Sequence, residues 1–327
     1  MKILVTGATG FIGSHLIEAL SATDAEVLAL VRDPGRMTAA PARRVCMIQG
    51  DLGAAPELPA GLDVVYHLAG VTKTLNPKDY YTVNAEGTAR LFDALADQAR
   101  PPKVVVLSSL AAGGPSKEGG RRRESDPPAP VTPYGRSKLE GEKAALARKD
   151  GFPVVILRVG AVYGPRDRDF LDLFRMSDRG LVLGLGRKRR PLSLCYVRDI
   201  VRALLRAAEA PLPSGEIFNI AEPEPHTMDD MGRAASRVMG RRPVRVVIPL
   251  AAAYLGVRIS HLGSRISKKP TPINPDKFRD YKQPGWVADV EKARRMLGFS
   301  ADTPFEEALR ETADWYRANG WLSRSSG

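Results

Sequence analysis

The segment Pro133-Tyr134-Gly135-Arg136-Ser137-Lys138 sets a tyrosine and a lysine four residues apart at what reads as the start of a helix, with Thr132 placed to cap it. That spacing puts both side chains on one helical face. A tyrosine phenol titrates at about 10 and is a poor base at neutral pH unless a cation lowers that value, and Lys138 is the expected cation. Tyr134 could then exchange a proton with a hydroxyl or a carbonyl. Ser108-Ser109 stands where the apolar run Val104 to Leu107 ends, and a hydroxyl there could hydrogen-bond the same oxygen. Ser109 is favoured over Ser108, because the first serine is expected to complete the strand. Tyrosine and lysine at this spacing also occur on solvated helix faces, so the set gains weight only beside a cofactor site.

That site is readable at Thr6-Gly7-Ala8-Thr9-Gly10-Phe11-Ile12-Gly13, which follows an apolar run and opens a helical pattern, the context a dinucleotide fingerprint requires. Gly7 makes the turn, Gly10 lets a pyrophosphate approach the backbone, and Gly13 lets the helix pack closely. The helix N-terminus adds partial positive charge for the phosphates. About 20 residues further on, an acidic residue at the end of the second strand would hold the ribose hydroxyls of NAD. The residues there are Val31, Arg32 and Asp33. Arg32 suits a 2′-phosphate, so NADP(H) is the expected cofactor, with NAD(H) the alternative because Asp33 is close by. Arg32 as an ordinary solvent-facing loop residue is the other reading.

Short apolar runs at Ile3 to Thr6, Val27 to Val31, Val45 to Gln49, Val64 to Leu68, Val104 to Leu107 and Val154 to Leu157 alternate with helix-like stretches such as Thr88 to Gln98 and Ser137 to Arg148. The rhythm predicts an α/β fold, a doubly wound parallel sheet of the Rossmann type with helices on both faces. The runs Leu194 to Val197 and Glu216 to Ile220 are expected to return to that sheet, with a helix over Asp199 to Ala208 between them. This predicts a dinucleotide-binding domain over 1–163 and 192–221 and a smaller, sequence-interleaved C-terminal substrate lobe over 164–191 and 222–327.

The chain has 327 residues, enough for one large core with a smaller lobe. Its net charge of +12 comes from basic residues spread along the chain, apart from Arg121-Arg122-Arg123 and Arg187-Lys188-Arg189-Arg190. No nucleic-acid motif accompanies them, so nucleic acid is not an expected partner. Cys46 and Cys195 lack metal-ligand spacing and are expected to be reduced bystanders, and no metal is expected. The opening residues leave no room for a leader, so a cytoplasmic location is expected; a homodimer is the expected assembly.

With these residues quoted, the chain resembles the extended short-chain dehydrogenase/reductases, also called the NAD-dependent epimerase/dehydratase family. The fingerprint, Gly50-Asp51-Leu52, His67-Leu68-Ala69-Gly70, Asn84-Ala85-Glu86-Gly87-Thr88, Ser108-Ser109, Tyr134 to Lys138, Leu157-Arg158 and Val162-Tyr163-Gly164-Pro165 run in the family's order. The resemblance implies that Asp51 and Leu52 border the adenine, that Ala69 and Gly70 border the cofactor's middle, and that Asn84 anchors the helix beside it. It also implies that Phe11 and Ile12 share the pyrophosphate turn and that Lys138 contacts the nicotinamide ribose beside Tyr134. Nucleotide-sugar members usually carry an asparagine before Val-Tyr-Gly-Pro and an arginine seven residues before the later aspartate. This chain has Gly160-Ala161 and Leu192 there, with Arg190 close enough to substitute. The pattern is similar to the 3β-hydroxysteroid dehydrogenase and dihydroflavonol reductase branch.

The leading expectation is therefore interconversion of a secondary alcohol and a ketone on an apolar, cyclic small molecule. The alternatives are a nucleotide-sugar epimerase or dehydratase, and a non-catalytic NADP(H)-sensing protein that has no need of Ser109, Tyr134 and Lys138 together. The segment 249–269 interleaves apolar and basic residues. It is expected to wall the substrate pocket, and peripheral membrane contact is the accompanying expectation.

Overall fold

The computed structural model describes residues 1–37, 45–54, 56–186, 188–257 and 275–322. Its strands are β1 (Lys2–Thr6), β2 (Glu26–Val31), β3 (Val45–Gln49), β4 (Val64–His67), β5 (Lys103–Ser109), β6 (Val154–Val159), β7 (Ala161–Tyr163), β8 (Leu181–Leu185), β9 (Leu194–Tyr196), β10 (Glu216–Ile220) and β11 (Val244–Ile248). The helices used below are α1 (Phe11–Ser21), α2 (Pro77–Tyr81), α3 (Gly87–Ala94), α4 (Leu110–Gly113), α5 (Pro133–Leu146), α6 (Leu171–Ser177), α7 (Val197–Glu209), α8 (Met228–Val238), α9 (250–257), α10 (Pro275–Lys282) and α11 (Phe305–Ala318).

Seven strands form one parallel sheet in the order β10-β6-β5-β4-β1-β2-β3. The central strands are aliphatic because both of their faces are covered. On one face Ile3, Val5, Val27 and Ala29 pack against Leu16, Ile17 and Leu20 of α1 and Ile200, Ala203 and Leu204 of α7. On the other face Leu4, Leu28, Val104 and Ile156 meet Leu91 and Phe92 of α3 and Ala145 of α5. The order reverses between β1 and β4, so their carboxyl ends open the crevice where doubly wound sheets bind ligands.

The sequence pattern misplaces one strand. Leu194–Tyr196 does not join the main sheet; it pairs with Ala161–Tyr163 in a separate two-stranded parallel sheet. The edge beside β6 is already taken by β10, in register from Val155↔Glu216 to Val159↔Ile220. Gly160 then bends the chain against β9, where an added Cβ would lie 2.4 Å from the Ser193 carbonyl. Leu194 and Tyr196 face the core of the second lobe, with Phe174, Met231, Ala235, Leu309 and Tyr316, while Cys195 faces the main-sheet core. Of the segment 249–269, residues 250–257 are helical and 258–269 lie outside the described residues, as does the tail 323–327. No helix among the described residues is long and apolar enough to cross a membrane.

Candidate active site

The glycine turn sits at the crevice. Gly7 has φ +73, and a Cβ there would lie 2.6 Å from Ala69 N, so the turn after β1 and the loop after β4 touch backbone to backbone. At Gly13 a Cβ would lie 2.1 Å from the Gly7 carbonyl, which fixes how closely α1 starts against the turn. Gly10 caps α1 with no side-chain hydrogen bond, and the first turn carries no acidic residue. The Phe11, Ile12 and Gly13 amides are thus left without a side-chain acceptor at the positive end of an eleven-residue helix, which fits a pyrophosphate.

A chain of hydrogen bonds then links this turn to the catalytic side of the crevice. Thr6 Oγ1 accepts from the Ala69 amide at 3.2 Å and pairs with His67 Nδ1 at 2.8 Å. His67 Nε2 pairs with Thr88 Oγ1 at 2.9 Å, and Thr88 donates to the Asn84 carbonyl at 2.8 Å. Since Thr88 spends its proton on Asn84, Nε2 carries the imidazole proton and Nδ1 accepts from Thr6. Burial, helped by the charge of Lys138, pushes His67 down to about 3, so it stays neutral and the chain stays fixed.

Asn84 lies in a single π-helical turn, Thr82–Glu86, between α2 and α3. Single π-helical turns of this kind are frequent at functional sites. Its Oδ1 accepts from the Val71 amide at 2.9 Å, and its Nδ2 donates to the Val71 carbonyl at 3.0 Å and to Ser137 Oγ at 2.9 Å. Ser137 in turn donates to the Tyr134 carbonyl at 2.8 Å. Asn84 therefore anchors α5 through Ser137. Gly141 permits this approach, because a Cβ there would lie 2.3 Å from the Asn84 carbonyl.

Thr132 caps α5 by accepting from the Gly135 amide at 3.2 Å, with Pro133 in the first turn. Ser109 ends β5 and caps α4, accepting from the Ala111 amide at 3.2 Å. Ser109 stands close enough to Tyr134 for its side chain to lower the phenol's pKa. Ser108, by contrast, is buried and donates to Glu142 Oε1 at 2.6 Å, which makes it structural. Glu142 also receives Arg158 Nε at 2.9 Å and Nη2 at 2.7 Å in a fully enclosed ion pair behind the strand end. Tyr80 stands beside Tyr134, ring centroids 5.9 Å apart.

The charge expectation for Tyr134 needs correction. Its phenol is pushed up to about 12, by burial first; the Ser109 side chain lowers it, while Asp280, Tyr80 and Asp169 raise it. Lys138 does not act as the lowering cation. It donates Nζ to the Leu107 carbonyl at 2.6 Å, and burial pushes it down to about 8 against the pull of Glu142. Desolvation sets the shift, and Tyr134 holds its proton at neutral pH.

At the far end of the crevice Val31 is buried and Arg32 is exposed just past β2. Asp33 is turned away into its own loop, accepting from the Gly35 amide at 3.0 Å. Asp51 is exposed and accepts from the Gly53 amide at 2.9 Å, and Leu52 is buried in the core with Leu28, Leu30 and Leu91. Gly70 is hemmed in: a Cβ there would lie 3.0 Å from Asn84 Oδ1 and 3.8 Å from Lys138 Nζ. The sequence reading missed Tyr80 and Glu142 and assigned no role to His67, Ser137 or Arg158. Tyr80 had a signal, four residues before Asn84, but the other partnerships join residues 16 to 61 positions apart.

A profile described as the NAD dependent epimerase/dehydratase family matches residues 3–221. The chain belongs to this family. As a member it is an NAD(P)-dependent oxidoreductase of the extended short-chain dehydrogenase/reductase type. It is 27% identical to a ceramide reductase of Caulobacter vibrioides, over 99% of this chain and 96% of that protein. It is 37% identical to a dTDP-6-deoxy-L-talose 4-dehydrogenase (NAD(P)(+)) of Kitasatospora kifunensis, over 95% of this chain and 94% of that one. Among solved structures, a UDP-glucuronic acid 4-epimerase from Bacillus cereus in complex with UDP-glucuronic acid and NAD superposes with a TM-score of 0.76 at 26% identity, covering 98% of this chain and all of the other. The epimerase/dehydratase match thus spans the glycine turn, Ser109, Tyr134, Lys138 and the strand β10.

Proposed function

We propose that this enzyme reduces a ketone on an apolar, cyclic or lipid-like small molecule to the secondary alcohol, and runs the reverse oxidation when conditions favour it. The carrying observation is the second-lobe wall. Where nucleotide-sugar members carry an arginine, Leu192 packs on the second-lobe core with its backbone bridged to His226 and Trp286. Arg190, the candidate substitute, points its Nη1 at the Leu185 and Lys188 carbonyls at 3.5 and 3.3 Å and lies over the Tyr281 ring. Ala161 stands where those members carry an asparagine, so a diphosphate would meet aliphatic side chains.

In this reading Ser109 orients the substrate carbonyl and Tyr134, protonated at neutral pH, gives the oxygen its proton. Lys138 and Tyr134 hold the nicotinamide ribose, and Asn84 keeps their helix in place. Gly7, Gly10, Phe11, Ile12 and Gly13 hold the pyrophosphate, Ala69 and Gly70 border the cofactor's middle, and Asp51 and Leu52 border the adenine. A bound nicotinamide supplies or accepts the hydride. NADP(H) is the preferred cofactor, supported by exposed Arg32 and by the commitment of Asp33 to its own turn.

The 37% identity to a nucleotide-sugar dehydrogenase favours a second reading, oxidoreduction of a nucleotide sugar. One experiment separates the two. Apolar ketones and alcohols are incubated beside nucleotide sugars with NADP(H) and NAD(H), followed by nicotinamide absorbance and product analysis. Turnover of nucleotide sugars alone overturns the apolar reading.

A further inference from the structure

Residues 164–170, between β7 and α6, form a strap that touches three separate parts of the fold. On the α1 side His15 Nε2 donates to the Pro165 carbonyl at 2.8 Å, and Arg166 reaches Ser14 Oγ with Nη1 at 3.3 Å and Glu18 with Nη2 at 2.7 Å. Ser14 directly follows Gly13, so these contacts fall on the first turns of the helix that faces the glycine turn. On the other side Asp169 forms an ion pair with Lys73, in the loop after β4 that carries Ala69 and Gly70. Asp169 is also close enough to Tyr134 to raise its pKa. The strap therefore bridges the carboxyl ends of β1 and β4, from the pyrophosphate turn to the side of the crevice that holds Tyr134 and Lys138.

Its middle is fixed from behind. Asp167 is buried, its carboxylate accepts from the Asp169 and Phe170 amides at 2.8 and 2.9 Å, and its carbonyl accepts from Tyr316 Oη of α11 at 2.7 Å. The Arg168 guanidinium lies over the Trp321 ring, 5.1 Å from its centroid. Arg166 has φ +72, the one positive φ at a residue other than glycine among the described residues. Backbone of that kind persists only where its surroundings hold it, here through Ser14 and Glu18, and it gathers at ligand clamps. The attachment to the loop after β4 is of another kind. It is an ion pair open to water, with 23% of Lys73 and 40% of Asp169 exposed, which salt can screen and thermal motion can break and remake.

We propose that Lys73 and Asp169 are the latch of this strap, positioning residues whose ion pair fastens residues 164–170 across the dinucleotide crevice and sets how fast the cofactor enters and leaves. The inference rests on the dinucleotide lying at the glycine turn, as proposed above. A dinucleotide that reaches both the α1 amides and Lys138 lies in the gap that the strap bridges. A direct contact from Lys73 to a phosphate is the competing role, and rates separate the two. A latch opens for entry and for exit, so losing it speeds both. Losing a phosphate contact speeds release and slows association.

The test is stopped-flow fluorescence of NADPH and NADH with the full chain, read as association and as release into excess oxidised cofactor, at low and high salt. Lys73→Met should speed both steps by roughly two- to fivefold, the range of an exposed ion pair, and leave affinity and thermal melting close to the parent's. Release from the parent should quicken with salt toward the rate of the variant, whose own release salt leaves nearly unchanged. Lys73→Arg, and the exchange of Lys73→Asp with Asp169→Lys, should both restore the slow rates. Unchanged release in Lys73→Met overturns the proposal, as does faster release with slower association, which makes Lys73 a phosphate contact. An exchange variant that stays fast overturns it too. Gly13→Ala binding both dinucleotides like the parent would remove the cofactor from the turn, and the latch with it, whereas the Lys73 outcomes strike the latch alone.

Discussion

Lys138 Nζ donates to the carbonyl oxygen of Leu107 at 2.6 Å, which ties the lysine of α5 to the strand that ends in Ser109. The strand and helix that carry the reacting groups are held at one point by a charge buried enough to titrate at about 8, and Glu142, one turn further along α5, holds that charge in place. Replacing Glu142 by glutamine keeps a hydrogen-bond acceptor for Ser108 and removes the attraction. Lys138 should then lose its proton at lower pH, and the limb of the kcat/KM profile that falls near pH 8 should move acidward. A limb that stays put removes Lys138 as its origin. The variant should also lose on the order of 1–3 kcal/mol of stability, since buried Arg158 keeps a weaker partner.

Tyr134→Phe removes only the proton-donating oxygen. Turnover should fall by about 10²–10⁴-fold. NADP(H) binding, followed by quenching of protein fluorescence, should change little, because the glycine turn and Lys138 remain. Near-parental turnover would show that another group delivers the proton. Lys138→Ala should differ by weakening cofactor binding as well, and unchanged affinity would remove its ribose contact.

The glycine turn, the six early strands and the placement of Tyr134 and Lys138 one turn apart at the start of α5 were legible because each is written locally, in an apolar run, a glycine spacing or an i,i+4 pair. Strand ending does not separate Ser109 from Ser108, since β5 runs through both; what sets them apart is that Ser108 Oγ is consumed by Glu142, thirty-four positions away. The titration of Tyr134 was not legible. A four-residue spacing reveals a neighbouring cation but not the burial of the phenol, nor that Asp280, Tyr80 and Asp169, far off in the sequence, come near enough to raise it further. Strand β9 failed for a related reason. Its pattern says strand, while which edge is free depends on where β10 has gone.

Arg32 carries the cofactor choice. In titrations of NADP(H) and NAD(H), Arg32→Ala should weaken the first by roughly tenfold to a hundredfold, the range of a charge-assisted contact, and leave the second nearly unchanged. Equal loss for both, or no loss, takes Arg32 out of the phosphate site. Asp33→Ala should leave NAD(H) affinity nearly unchanged, because its carboxylate serves the Gly35 amide.

Gly13→Ala tests the cradle itself. Its Cβ would sit 2.1 Å from the Gly7 carbonyl, so α1 must back away from the turn. The expected loss is about 1–3 kcal/mol of stability, as for overpacking elsewhere, with a larger loss of affinity for both dinucleotides. A variant that melts and binds like the parent would mean that α1 starts further from the turn than described.

Away from the site, Glu222 gives the enzyme a pH-dependent weak point. Its carboxyl is 5% exposed, accepts from Tyr163 Oη at 2.9 Å, and stands among Asp199, Cys195 and His226 Nε2, the last 3.6 Å away. Burial, with the charge of Asp199, pushes it up to about 7, and burial lowers His226, so the histidine is a poor counter-charge. The folded protein therefore holds a proton between pH 4.5 and about 7 that the unfolded chain has released. The stability from this group is present in full below the unfolded value and is lost as pH rises through 7, up to about 3 kcal/mol at a slope of about 1.4 kcal/mol per pH unit. Asp167, raised by burial to about 6, adds a loss of the same sign. Glu222→Gln keeps the acceptor and cannot ionise. Melting followed from pH 5 to pH 8 should fall less steeply in the variant than in the parent, with the curves closest at pH 5 and the variant ahead at pH 8. Parallel curves would mean that Glu222 is charged throughout and that the pH dependence of the fold lies elsewhere.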